Sequence, residues 1–118
     1  MDILDVKHNL QILKTKLDGE LFYDDLMKSI YATDASVYKI LPLAVAYPKT
    51  KNDLSRLIKF AKEYKTSLIP RTAGTSLAGQ CVGAGIVVDV SKYFTKILDV
   101  NERDRTVRVQ PGVVRDEL

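Results

Sequence analysis

The chain has 118 residues, 46% of them hydrophobic and 28% charged, which is typical of one modest soluble globular domain. Its formal net charge of +3 suits an anionic small ligand and, without basic blocks interleaved with aromatic residues, does not indicate nucleic acid. The single cysteine, Cys81, excludes an internal disulfide and favours a reducing compartment. Because there is no long apolar span and no signal-peptide pattern, we expect no membrane span and a cytoplasmic location, with peripheral attachment to the inner membrane as the alternative for a longer protein.

Two helices are predicted at the N-terminus, and with the polar turn after them they make up a helical segment of residues 1–36. In the first, Asp2 to Leu17, apolar residues recur at three- and four-residue steps and form one stripe. The only histidine, His8, lies off that stripe, so we expect a solvated side chain there and neither a base nor a ligand. The second helix spans Tyr23 to Ala32. Its apolar residues, expected to face inward, are Leu26, Met27 and Ile30.

A strand, a capped helix and a second strand follow. The first strand, Leu43–Tyr47, begins after a proline that cannot donate to a ladder. Thr50 and Asp53 form a capping box at the start of a helix over Lys51–Lys65. The residues expected to be buried on that helix are Leu54, Leu57, Ile58, Ala61 and Tyr64. With the second strand at Ser67–Pro70, this order predicts one right-handed βαβ unit whose two strands pair in parallel.

The second strand runs into a loop rich in glycine and hydroxyl residues, at the end of a parallel strand where ligands collect in open α/β sheets. Consecutive backbone N–H groups of such a loop can form an anion-binding concavity, and Arg71 adds a fixed positive charge. The loop therefore has the groups needed to hold a pyrophosphate, although a plain connection between strands is the alternative. No Walker A motif and no G-x-G-x-x-G leading into a helix is present, so a phosphate site here would be a loop nest.

A central strand and a hairpin complete the chain. The strand Gly85–Ser91 is apolar on both faces except at Asp89. Strands Lys96–Val100 and Thr106–Gln110 flank a polar turn and form a hairpin, with Val107 and Val109 facing inward. A new helix opens over Val113–Leu118, and since so short a helix needs continuation, we expect this chain to be a fragment of a longer protein.

The order of these motifs resembles the N-terminal half of a FAD-binding domain of the vanillyl-alcohol-oxidase type, the PCMH fold. The motifs that carry the resemblance are Tyr31–Ser36, Tyr47–Pro48, Pro70–Gln80, Gly85–Ser91 and Val109–Val113. The resemblance is strongest to FAD-linked D-2-hydroxyacid dehydrogenases of the D-lactate, glycolate and D-2-hydroxyglutarate group. It implies an α/β (α+β) fold in which residues 37–118 supply a small parallel βαβ sheet and the start of an antiparallel sheet, truncated at residue 118.

The resemblance also implies a cofactor, FAD, and residues that bind it. The pyrophosphate loop would be Arg71–Gly79, with backbone N–H groups on the phosphates and Gln80 turning towards the flavin. Tyr47, Pro48, Pro111 and Gly112 would lie near the adenosine end. The full set of expected binding residues is Tyr47, Pro48, Pro70, Arg71, Thr72, Ala73, Gly74, Thr75, Ser76, Leu77, Gly79, Gln80, Pro111 and Gly112.

Two features of this region have further implications. The loop has no histidine for covalent attachment and Cys81 is interpreted as a packed residue, so we expect non-covalent FAD. Asp89 and Ser91 either fix the turn after the central strand or contact the cofactor.

By the same resemblance, the complete enzyme would oxidise a D-2-hydroxy acid to a 2-oxo acid, with the flavin as redox group and an unidentified electron acceptor. We predict no catalytic residue and no metal ligand in this chain. The base, the carboxylate-binding arginine and any iron–sulfur module would lie beyond it, so the fragment alone should be inactive. The alternatives are a related FAD enzyme acting on an alditol, aldehyde or peptidoglycan precursor, or a non-catalytic binding module.

Overall fold

The computed structural model describes residues 3–33, 40–74 and 84–114, with side chains from Asp5 onward. Three helices and six strands occur in these ranges. In chain order they are α1 (Ile3–Lys16), β1 (Glu20–Phe22), α2 (Asp25–Ile30), β2 (Ala44–Tyr47), α3 (Lys51–Tyr64), β3 (Leu68–Arg71), β4 (Ile86–Asp89), β5 (Ile97–Asn101) and β6 (Thr106–Val109). None of the described helices is both long enough and apolar enough to span a membrane.

The main sheet has four strands in the order β1-β2-β4-β3. Both β2 and β3 run parallel to β4, and β1 pairs antiparallel with β2. The predicted parallel orientation is confirmed, but the predicted direct pairing of β2 with β3 is wrong because β4 lies between them. Every residue of β4 is buried, which suits the central position. At the edge, β3 tolerates Pro70, which has no N–H to donate to a ladder.

The core lies between one face of this sheet and the helices α1 and α3. Of the stripe predicted for the first helix, Leu10 and Leu13 of α1 are buried in the core, as is Leu17, which follows α1, and Val6 packs against them partly buried. On α3, Leu57 is fully buried and Phe60 nearly so, whereas Ile58, predicted to be buried, is 60% exposed. Strand alternation turns Ala44 and Ala46 towards these helices. The side chains of the last residues of the three parallel strands, Tyr47, Asp89 and Arg71, therefore lie on the opposite face of the sheet.

Helix α2 is shorter than predicted and does not pack as predicted. It begins after Asp24, whose side chain accepts a hydrogen bond from the backbone N–H of Met27. Leu26 is 72% exposed and Ile30 56% exposed, so their predicted inward orientation is wrong. With only six residues, α2 is too short to present a continuous apolar face to the core.

The hairpin β5–β6 forms a separate two-stranded antiparallel sheet, as predicted. All of its residues are exposed, including Val107 and Val109, which were predicted to face inward. After β6, the N–H of Gly112 donates to Phe94 O at 2.7 Å. A Cβ at Gly112 would lie 2.5 Å from Val90 O, so the backbone approaches the turn after β4 too closely for a side chain. Of the helix predicted from Val113, residues 115–118 lie outside the described residues.

Candidate functional site

The three parallel strands end in one row at the same edge of the sheet. Their last residues are Tyr47 of β2, Asp89 of β4 and Arg71 of β3. Arg71 is paired with Asp89, and the pairing of Ala46 with Val88 places Tyr47 beside Asp89. Residues in one row across neighbouring strands point to the same face, which here is the face opposite α1 and α3. This carboxyl edge is where open α/β sheets bind their ligands.

Tyr31, the residue that follows α2, contacts the side chains of this row. Its hydroxyl lies 2.6 Å from the hydroxyl of Tyr47 and donates to Asp89 Oδ2 at 2.5 Å. Burial raises the pKa of Tyr31, and the hydrogen bonds to Asp89 and Tyr47 raise it further. The phenol therefore stays neutral and keeps the proton that it donates to the carboxylate.

The second oxygen of Asp89 holds the turn after β4. Asp89 Oδ1 accepts hydrogen bonds from the backbone N–H of Ser91 at 2.9 Å and from its hydroxyl at 2.5 Å. Of the two roles expected for Asp89 and Ser91, the structure therefore shows the fixing of this turn. Asp89 thereby joins the turn to Tyr31, which comes from the N-terminal segment.

Arg71 lies where β3 passes into the glycine-rich loop. Its backbone is fixed by the ladder, because Val90 N–H donates to Arg71 O at 3.0 Å. The guanidinium donates through Nη1 to Thr33 O at 2.6 Å and to Tyr31 O at 3.4 Å. Its Cζ also lies 5.0 Å from the centroid of the Tyr31 ring, within the range of a cation–π contact. The positive charge is thus held in one orientation at the start of the loop.

The backbone of the loop passes directly against that charge. Gly74 has φ +70°, a left-handed conformation that glycine adopts readily, and a Cβ there would lie 2.5 Å from Arg71 Nη2. A side-chain-free turn beside a fixed guanidinium matches what a diphosphate needs, namely close approach to the backbone and a positive charge. The described part of the expected loop therefore fits FAD. The remaining expected residues, Thr75, Ser76, Leu77, Gly79 and Gln80, lie outside the described residues, as does Cys81.

The structure places the other expected binding residues in different surroundings. Pro48 is fully buried, and Pro70 is exposed on the edge strand. Pro111 is exposed, whereas Gly112 packs under the turn after β4. Thr72 and Ala73 are exposed beside Gly74.

A lysine that sequence reasoning missed lies next to this row. Lys92 Nζ is 2.6 Å from Glu20 Oε2 and 5.3 Å from the centroid of the Tyr47 ring. The hydrogen bond from Lys92 lowers the pKa of Glu20, and Glu20 in turn raises the pKa of Lys92. Tyr31 was likewise absent from the expected binding residues, although it begins one of the motifs quoted for the resemblance.

Comparison with known proteins shows the family. A family model described as a FAD binding domain matches residues 42–118. D-2-hydroxyglutarate dehydrogenase of Haemophilus influenzae is 42% identical over 119 residues, which cover 98% of this chain and 11% of that protein. Glycolate oxidase subunit GlcD of Bacillus subtilis is 32% identical over 114 residues, which cover 93% of this chain and 23% of that protein. The chain thus spans about a tenth to a quarter of the length of these relatives.

Solved structures show the same fold. An alkyldihydroxyacetonephosphate synthase aligns with a TM-score of 0.77 at 20% identity, over 94% of this chain and 23% of that one. p-Cresol methylhydroxylase aligns with a TM-score of 0.73 at 16% identity, over 96% of this chain and 23% of that one. The predicted PCMH-type α/β fold is therefore confirmed. Since the family model matches more than half of its residues, the chain belongs to the FAD-binding domain family.

Proposed function

We propose that the chain is the FAD-binding portion of a flavin-dependent oxidoreductase that oxidises a D-2-hydroxy acid to a 2-oxo acid. The observation that carries the proposal is the fixed Arg71 guanidinium beside the Cβ-free backbone of Gly74, at the carboxyl end of a parallel strand. The substrate class follows the relatives named D-2-hydroxyglutarate dehydrogenase and glycolate oxidase subunit.

In this proposal the diphosphate of FAD binds along the loop that begins at Arg71. Arg71 supplies a positive charge, and the backbone N–H groups of Thr72–Leu77 supply hydrogen bonds to the phosphate oxygens. The hydroxyls of Thr75 and Ser76 add two further donors. We assign Gln80 to the flavin side of the cofactor, and Tyr47, Pro48, Pro111 and Gly112 to the adenosine side. Binding is non-covalent, since no histidine is present in the loop.

When bound, FAD supplies the two-electron oxidation of the hydroxy acid. This chain's own residues bind and orient the cofactor, and none of the described residues is placed as a base. His8, the one histidine, is exposed on α1, away from the parallel strand ends. In this proposal a base and a carboxylate-binding group come from other parts of a longer polypeptide, so the 118-residue chain alone should not turn over substrate. The electrons leave to a separate acceptor.

We also propose a cytoplasmic location, with no nucleic-acid or membrane-spanning role. The net charge of only +3 supports the absence of a nucleic-acid role, and the single cysteine supports a reducing compartment.

The proposal is tested on the complete gene product that contains this chain. It should purify yellow with flavin absorbance, and heat denaturation should release the FAD into the supernatant because no covalent bond holds it. Reduction of an electron-accepting dye should then be measured with D-2-hydroxyglutarate, D-lactate and glycolate, with alditols and aldehydes as controls. A folded, colourless protein that ignores added FAD would contradict the proposal.

A chimera tests this chain separately from the rest of the polypeptide. In the Haemophilus influenzae enzyme, the segment that aligns with this chain is replaced by this chain. If the proposal is right, the chimera retains FAD, and substitution of Arg71 by Met weakens that binding. A chimera that folds but holds no FAD would show that this chain lacks the proposed function.

A further inference from the structure

Tyr31 contacts the ends of all three parallel strands although it precedes the residues matched by the family model. Its hydroxyl bonds the side chains of Tyr47 and Asp89, and its ring packs edge-on against the Tyr47 ring with centroids 6.1 Å apart. Its ring face and its carbonyl both contact the guanidinium of Arg71. One side chain thus joins the three strand ends, which lie 16, 40 and 58 residues later in the chain.

The hydrogen bonds at the Tyr31 hydroxyl have a defined direction. A phenol carries one proton, and that of Tyr31 goes to the carboxylate of Asp89. Tyr31 can therefore only accept from Tyr47, so the chain of donors runs from Tyr47 through Tyr31 to Asp89. Asp89, the last acceptor in this series of hydrogen bonds, is fixed because it is buried and also bonded to Ser91. The orientation of the Tyr31 ring is consequently set before any ligand binds.

We propose that Tyr31 is a positioning residue for FAD: it holds the Arg71 guanidinium against Gly74, in the orientation that binds the diphosphate. This inference rests on the proposed function. An arginine side chain has many rotamers, and the affinity that its charge can provide falls if those rotamers must be frozen on binding. The Tyr31 ring face and the carbonyls of Tyr31 and Thr33 restrict those rotamers in advance.

The test measures FAD affinity in the complete gene product, by flavin fluorescence during titration of the apoprotein. Loss of a cation–π contact of this kind should weaken FAD binding about 2- to 30-fold in Tyr31→Ala. Tyr31→Phe keeps the ring face but loses the hydroxyl bonds that orient it, so its affinity for FAD should lie between those of the parent and Tyr31→Ala. Tyr64→Ala is the matched control, because Tyr64 is also a partly buried tyrosine but packs against Phe60 on α3. It should leave the affinity unchanged.

A double-mutant cycle separates positioning from a general structural role. If Tyr31 acts through Arg71, the loss caused by Tyr31→Ala should disappear when Arg71 is already alanine. An undiminished loss in that background would overturn the inference, as would a parent-like affinity of Tyr31→Ala. If Tyr31→Ala does not fold, Tyr31→Leu fills the space without an aromatic face and is judged by the same criteria. A parent that holds no FAD overturns the proposed function and this inference together, whereas a FAD-binding parent with an unaffected variant overturns this inference alone.

Discussion

Asp53 Oδ2 accepts a hydrogen bond from the backbone N–H of Gly19 at 2.8 Å, across 34 residues of sequence. The same carboxylate accepts from the N–H groups of Asp18 at 2.8 Å and Lys49 at 2.9 Å. Asp53 is fully buried, so these bonds, together with Arg56 Nη1 at 3.3 Å, satisfy a charge that would otherwise be costly to bury. The first turn of α3 is thereby joined to the turn that connects α1 with β1.

Replacing Asp53 by alanine should destabilise the protein by about 3–5 kcal/mol, because three backbone donors lose their acceptor in a buried site. Asp18→Asn is the control, since the Asp18 carboxylate is 57% exposed and lies 3.8 Å from Arg56. Loss of so exposed a pair should cost less than about 1 kcal/mol. Urea unfolding followed by circular dichroism measures both variants. Equal effects of the two substitutions would contradict the buried role of Asp53.

The stability that Asp53 provides should depend on pH. Burial raises the pKa of Asp53, but the hydrogen bonds from the backbone N–H groups outweigh burial and the pKa lies below its ordinary value. The native state therefore binds fewer protons than the unfolded state at acidic pH, and stability falls as pH falls through the folded pKa. The difference in unfolding free energy between the parent and Asp53→Asn should be constant at neutral pH and shrink below about pH 4. A difference that grows on acidification would contradict this sign.

Strong local patterns explain which parts of the fold were predictable. The apolar stripe of α1, the cap at Thr50 and the hairpin are defined by residues only a few positions apart, and all three occur in the structure. Thr50 Oγ1 accepts from Asp53 N–H at 3.2 Å, as the capping box predicts. Arg71 and Gly74 could be found in the same way, because the composition of one loop marks them.

Non-local contacts explain what the sequence did not predict. The insertion of β4 between β2 and β3 depends on competition among strands for the central position, which no single segment encodes. With three residues, β1 is too short to show a period. Likewise, the hydroxyl of Tyr31 meets Asp89 58 residues later, and Lys92 meets Glu20 72 residues earlier. The predicted site therefore contained the loop but not the side chains that hold its first residue.

Adjacent residues on α3 provide a test of the corrected helix face. Leu57 is fully buried and Ile58 is 60% exposed. Leu57→Ala should cost about 2–5 kcal/mol of stability in the 118-residue chain, since it leaves a cavity in the core. Ile58→Ala removes a similar volume from an exposed position and should cost about 0.5 kcal/mol or less. Comparable losses of stability in the two variants, measured by thermal unfolding, would indicate that Ile58 is buried as well as Leu57, as the sequence predicts.

Gly112→Ala should destabilise the packing of the hairpin connection on the turn after β4. The added Cβ would lie 2.5 Å from Val90 O and 2.6 Å from Phe94 O, and backbone atoms cannot move aside as a flexible side chain can. We expect a loss of about 1–3 kcal/mol, in the range of overpacked cores. The neighbouring Pro111 is exposed, and Pro111→Ala should change stability by about 1 kcal/mol or less. A Gly112→Ala variant as stable as the parent would contradict the close approach.

Gly74→Ala should weaken FAD binding while leaving the protein folded. Alanine at φ +70° costs about 1–2 kcal/mol, and its Cβ would push against the guanidinium of Arg71, 2.5 Å away. Because that guanidinium is the end of a flexible side chain, it can shift, so the fold survives while the charge leaves its position. We expect about tenfold weaker FAD binding in a flavin titration, equivalent to about 1.4 kcal/mol. Ala84→Gly, the control, removes a Cβ from an exposed residue outside the expected binding set and should bind FAD nearly as the parent does. If Gly74→Ala bound FAD as tightly as the parent, the turn at Gly74 would not be part of the diphosphate site.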